Sequence, residues 1–196
     1  QKSLVSSVDP LMLPLSRTLR FRDANIEGIS LVNAPGDVDG VLVNKQGEVL
    51  ATWSSFSVQT GGESGQFNRG VGSEVAKQFV NIVRDGKPFY SLEAEFVYAP
   101  LFAARKMGVD EAWVERLEEN NPVRRRALSV TRLVAGSRAA ELLQNGDMLL
   151  AIDGEVVTSF RELEQAVQKP EVTVTIWRNG EVKEIPVRTA ALDGKG

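Results

Sequence analysis

Near residue 73 the chain changes its hydrophobic period, and that change dictates where one structural unit must give way to another. Upstream, β-prone residues come in short runs separated by turn formers: Ser3 to Val8, Thr18 to Phe21, Glu27 to Val32, Val41 to Asn44, Glu48 to Val58, and a last short run near Gly70. Six short strands at this spacing predict a small closed barrel. The Gly-, Ser- and polar-rich stretch Gln59 to Asn68 has no period and reads as a mobile loop. From Ser73 to Arg84 the apolar residues Val75, Ala76, Phe79, Val80 and Val83 fall on one helical face, and Gly86 and Pro88 then stop the helix. A chain of 196 residues accommodates two small domains. The boundary falls near Asp85 to Pro88, giving 1–87, then 88–192, with 193–196 as a tail.

The second half opens with a β run, Ser91 to Val97. Two short helices follow, Pro100 to Lys106 behind Pro100 and Glu111 to Glu118 behind an Asp110 cap. Leu128 to Val134 reads as a strand, Ser137 caps a short helix through Leu143, and the Asn145-Gly146 turn leads into a strand from Met148 to Ile152 ending at Asp153-Gly154. Ser159 and Glu162 have capping-box spacing, with Phe160, Leu163 and Val167 on one face of the helix they open. Val172 to Trp177 and Val182 to Arg188 flank Asn179-Gly180, a two-residue hairpin signal.

The chain contains no His and no Cys. That excludes a Ser-His-Asp triad, a cysteine nucleophile, a disulfide and the usual His/Cys zinc sites within this polypeptide, and no metal or other cofactor is expected. A net charge of -3 gives no field strong enough to imply nucleic acid or a membrane surface as partner, and no apolar run is long enough to cross a bilayer. The run Arg124-Arg125-Arg126 lies close in sequence to Glu115, Glu118 and Glu119 and is expected to form a solvated, salt-bridged face; Trp53, Trp113 and Trp177 are expected to pack rather than to stack ligands. Gln1 opens the chain with neither an initiator Met nor a signal-peptide pattern, as expected of a processed protein or an excised segment.

Asn33-Ala34-Pro35-Gly36-Asp37-Val38-Asp39-Gly40-Val41-Leu42-Val43-Asn44, continuing through Gly47-Glu48-Val49-Leu50, resembles the nucleophile loop of the HtrA family of trypsin-like serine proteases. Gly36 then matches the glycine that gives an oxyanion-hole N–H, and Val38 falls on the nucleophile position. A Val side chain has no oxygen to attack a carbonyl, and Asp39 places a carboxylate where the family keeps the backbone bare. Gly70-Val71-Gly72 and the helix after it resemble the family's last barrel strand and linking helix. The stretch from Val134 to Gly154, with its Gly-Ser-x-Ala-Ala, Gly-Asp and Ile-Asp-Gly elements, resembles the permuted, bacterial-type PDZ domain that follows the protease in this family. The insertion Val109 to Arg126 is most similar to the large HtrA-like type with repeated protease and PDZ units, in which a second protease unit is degenerate.

The resemblance implies a mainly β fold with some α: the second barrel only of a trypsin-like pair, six-stranded and degenerate, followed by the PDZ domain. It implies a non-catalytic module in which the dead barrel is scaffold and the PDZ half binds peptides or unfolded-protein segments. By resemblance Leu92, Glu93, Ala94, Phe160, Leu163 and Val167 line that site, with N–H groups near Tyr90 to Leu92 taking a terminal carboxylate; Glu93 stands where the family usually has Gly. The same spacing of Phe160, Leu163 and Val167 is that of an ordinary core stripe. Two other readings stand beside this one: a regulatory fragment of an active serine endopeptidase, and an architectural module that docks on other domains of its parent or builds a homo-oligomer. The family's bacterial members place the protein in the periplasm, with the cytoplasm as alternative.

Overall fold

The computed structural model describes residues 2–11, 25–36, 38–60 and 63–192. They fall into two compact units, the first built on Ile26–Lys87 together with the N-terminal strand, the second on everything from Pro88 onward together with Asn25.

The first unit is a five-stranded antiparallel sheet of β1 (Leu4–Pro10), β2 (Glu27–Val32), β3 (Gly40–Val43), β4 (Val49–Thr60) and β5 (Glu63–Gly72), in the order β1-β2-β5-β4-β3. Among the described residues these five strands form a half-barrel; the sixth run expected of the barrel, Thr18 to Phe21, lies outside them. The stretch Gln59 to Asn68 is not a loop. It belongs to the β4–β5 hairpin, whose register runs from Ala51↔Gly72 through Phe56↔Phe67 to Thr60↔Glu63. Aperiodic polar residues are at home on a strand's solvent face, and what fixes the hairpin is non-local: Phe56 and Phe67 stack across the strands at 5.6 Å, and Ser55 and Asn68 bond through their side chains at 3.1 Å. Gly70 is required by close packing, since a Cβ there would stand 3.0 Å from Leu42 Cδ1 and 3.2 Å from Ile29 Cβ. Among the described residues only Leu11, Ala51 and Trp53 are buried apolar side chains of this unit. Helix α1 (Ser73–Arg84) buries none of its residues and leaves Phe79, Val80 and Val83 exposed.

The second unit closes its own core. Its elements are β6 (Phe89–Ser91), β7 (Ala94–Pro100), α2 (Leu101–Met107), α3 (Glu111–Asn120), β8 (Arg126–Leu133), α4 (Arg138–Leu142), β9 (Met148–Ile152), β10 (Glu155–Val156), α5 (Phe160–Ala166), β11 (Glu171–Arg178), β12 (Glu181–Arg188) and β13 (Ala190–Leu192). The main sheet runs β12-β11-β9-β8-β7 with β10 on β9, while β6 and β13 form a separate ribbon. All five residues of β9 are buried because the strand is covered on both faces: Leu149 and Ile152 join the cluster with Leu128, Leu163, Val174 and Ile176, and Met148 and Leu150 join the one with Leu101, Val114, Leu117 and Trp177.

Local chemistry explains the boundaries. Asp110 caps α3 by accepting from Ala112 N–H at 2.8 Å, and Ser137 caps α4 by accepting from Ala140 N–H at 3.0 Å. Ser159 and Glu162 form the capping box of α5. Asp153-Gly154 and Asn179-Gly180 have positive φ at both positions, as a type I′ turn requires. The Arg124–Arg126 run is drawn into local contacts: Arg125 pairs with Glu118 at 2.9 Å and Arg126 stacks over the Tyr98 ring at 3.3 Å.

Candidate peptide groove

Strand β7 ends the main sheet. One edge pairs with β8, in the register Ala94↔Leu133 to Pro100↔Arg126, and no strand pairs with the other among the described residues. Helix α5 packs beside it. Tyr98 and Phe160 stack at 4.5 Å, and Phe160 N–H donates to the Tyr98 hydroxyl at 3.3 Å, tying the first turn of α5 to the middle of β7. At the other end Gln168, just past α5, closes onto β6: its Oε1 accepts from Tyr90 N–H at 3.1 Å, and its Nε2 donates to Tyr90 C=O at 2.7 Å and Glu164 C=O at 2.9 Å. The result is a strand edge facing a helix, the geometry used to add an extended peptide to a sheet.

Leu92, Ala94, Phe160, Leu163 and Val167 are brought together here, and all five are buried in one cluster with Phe96, Leu128 and Val174. Glu93 takes the left-handed conformation at φ 56, where glycine is the unstrained choice. Its N–H donates to Ser91 Oγ at 2.8 Å and its C=O accepts from Val134 N–H at 3.0 Å. Tyr90 N–H in β6 is thus held by Gln168, and Glu93 N–H in the turn before β7 by Ser91.

A further occupant sits on the edge itself. Asn25, 7% exposed, donates through Nδ2 to Ala94 C=O at 2.9 Å and to Glu164 Oε1 at 2.8 Å, and its Oδ1 accepts from Phe96 N–H at 3.0 Å. Sequence reading misses Asn25, Glu164 and Gln168. The two helix-flank residues carried a weak signal in their i, i+4 spacing beside the apolar stripe, whereas Asn25 lies 69 residues from Ala94 and carried none.

The loop aligned with a protease nucleophile belongs to the first unit. Val38 is 53% exposed, Gly36 has open space where a Cβ would stand, and Asp37 lies outside the described residues. Asp39 Oδ1 accepts from Ser55 N–H at 3.0 Å, and Asn68 Nδ2 donates to Pro35 C=O at 3.3 Å, so the loop is tied to the β4–β5 hairpin. No group of three or more potential metal ligands is present among the described residues.

A family model for the PDZ domain matches residues 129–178, which span β8 through β11. Protease Do-like 7 from Arabidopsis thaliana is 34% identical over 206 aligned residues, covering 90% of this chain and 19% of that protein. The pro-apoptotic serine protease NMA111 from Phaeosphaeria nodorum is 28% identical, covering 98% of this chain and 20% of that protein. The chain thus spans about a fifth of the length of the curated relatives it matches. A solved structure of an AlgW variant, an HtrA-type protease with tripeptide, matches with TM-score 0.50 at 17% identity, covering 97% of this chain and 59% of that one, and shares the fold. The chain carries a PDZ domain and is homologous to a segment of the Do-like and NMA111 serine proteases of the HtrA type.

Proposed function

We propose that this chain is a non-catalytic peptide-recognition module of an HtrA-like serine protease, in which the PDZ half binds extended, unfolded segments and the half-barrel serves as scaffold. The observation that carries it is the outer edge of β7: Ala94 C=O and Phe96 N–H point away from β8 toward α5, where a ligand strand would add. With no His or Cys in the chain and Val38 where the family resemblance sets the nucleophile, that position offers no oxygen or sulfur to attack a peptide bond. Of the N–H groups expected to take a terminal carboxylate, that of Tyr90 is engaged by Gln168, and Glu93 adds a negative charge next to Leu92 in the chain, which favours internal segments over free C-termini.

The test is a fluorescence-anisotropy titration with labelled apolar peptides, each as a free C-terminal carboxylate and as an amidated internal segment. A copy N-methylated at alternate backbone amides serves as control. Binding of the amidated peptide that N-methylation abolishes is the expected result, because strand addition needs those N–H groups. Absence of binding by a folded protein would defeat the groove reading. Peptidase activity surviving repurification would defeat the non-catalytic one.

The uncovered Phe79, Val80 and Val83 face of α1 supports an additional architectural role, docking against another part of the parent protein. Concentration-dependent self-association in sedimentation, removed by Phe79→Ser with Val83→Ser, would turn that role toward homo-oligomerisation.

A further inference from the structure

We infer that the groove is self-occupied, with Asn25 standing in for a peptide group of the ligand and having to leave before a peptide can bind. This rests on the groove reading above and concerns its regulation. A carboxamide offers the same donor–acceptor pair as a backbone peptide unit. Asn25 presents that pair to the edge of β7, N–H to Ala94 C=O and oxygen to Phe96 N–H, and spends its second N–H on Glu164 of α5. One side chain thus spans the groove from strand to helix, with both amide protons used.

Occupancy by Asn25 and by a ligand strand is mutually exclusive. Phe96 N–H has a single proton, and Asn25 Oδ1 holds it at 3.0 Å. A strand adding to β7 must take that proton, so the carboxamide must be displaced along the length of edge where the ligand's backbone would run. Two buried hydrogen bonds and a part-buried one to a carboxylate are worth enough together to keep the closed form dominant. The apparent affinity then falls by the fraction of molecules that are open, a penalty of about ten- to a hundredfold. The coupling is reciprocal: whatever displaces Asn25 opens the groove, and a peptide in the groove releases Asn25.

The experiment repeats the amidated-peptide titration with Asn25→Ala and with the nearly isosteric Asn25→Asp. The aspartate keeps the shape, loses the donor to Ala94 and sets a carboxylate against Glu164. Alongside, the Asn25 side-chain amide resonances of the unmodified protein are followed by NMR during titration, a readout that needs no variant. Both variants are expected to bind about tenfold or more tighter than the unmodified chain, and the Asn25 resonances to move to solvent-exposed positions at saturation. Equal affinities in all three, with Asn25 resonances unmoved at saturation, would overturn the inference while leaving the groove reading intact. Lack of binding by all three proteins would defeat the groove reading, and this inference with it.

Discussion

Replacing Arg178 by Met should cost the second unit much of its stability, and adding a second substitution should restore part of the loss. Asp147 has 1% of its side chain exposed and Arg178 16%. The guanidinium meets the carboxylate with two bonds, Nε to Oδ1 at 2.6 Å and Nη2 to Oδ2 at 2.5 Å, and Nη2 also donates to Leu142 C=O at 3.0 Å. Gln144 N–H donates to Oδ2 at 2.7 Å. The hydrogen bond from Arg178 to Asp147 raises the guanidinium pKa above its ordinary value, so Arg178 keeps its charge. In Arg178→Met the carboxylate stays buried with one backbone N–H in place of its cation, a loss of about 3–5 kcal/mol. Against a total of about 5–15 kcal/mol for a domain, that is a large fraction. Asp147→Asn placed on top removes the stranded charge, while its carbonyl oxygen still accepts from Gln144 N–H. The double variant should therefore be more stable than Arg178→Met alone. Urea unfolding followed by far-UV circular dichroism and by tryptophan fluorescence, with Trp177 adjacent in β11, measures all four corners of the cycle. A loss under about 1 kcal/mol for Arg178→Met, or a double variant no better than the single, would refute the reasoning.

In the half-barrel, Gly70→Ala should cost about 1–3 kcal/mol, because the new methyl meets Leu42 and Ile29 at overpacked distances; an unchanged urea midpoint for this unit would contradict it. Ser159→Ala removes the oxygen that accepts from Glu162 N–H at 3.3 Å and should cost about 1 kcal/mol in the same assay. The Asp153 carboxyl is held below its usual pKa by the hydrogen bond from Lys169 and by Thr173 N–H. A depressed carboxyl stabilises the fold above the unfolded value of about 3.9 and loses that contribution as pH falls through the folded one. The stability gap between the unmodified chain and Asp153→Asn, which preserves the left-handed turn, should thus be present at neutral pH and close in acid. A gap that widens on acidification would reverse the sign.

How much of this was legible in the sequence depends on the range of the interaction. Asn179-Gly180, Asp153-Gly154, the Ser159/Glu162 box and the Asp110 and Ser137 caps act over two to four residues, and each marks its element where the structure has it. The β4–β5 hairpin was hidden because its determinants, Phe56 against Phe67 and Ser55 against Asn68, sit 11 and 13 residues apart and look locally like loop composition. Periodicity could not tell whether Phe160, Leu163 and Val167 are ligand pocket or core. A residue flooring a groove and one closing a core obey the same helical spacing, and the structure buries all three in the core cluster. Glu93 stands where the resemblance expects glycine, and its φ of 56 is the conformation that glycine would relieve.

The two units also differ in what they ask of their surroundings. The second buries alternate faces of β9 in two apolar clusters and satisfies its helix ends locally, so the groove between β7 and α5 is positioned by elements that need no help from elsewhere. The first leaves Val41, Val43, Val49 and Leu50 exposed as well as the α1 face, with only three buried apolar side chains among the described residues. By the area rule, stabilisation follows the apolar surface removed from water, so amide protons of β1 to β5 should exchange faster than those of β8, β9 and β11. Scaffold and recognition are therefore not symmetrical roles. The second unit is the self-sufficient one, and Asn25 belongs to it although it is supplied from a point in the chain just ahead of β2.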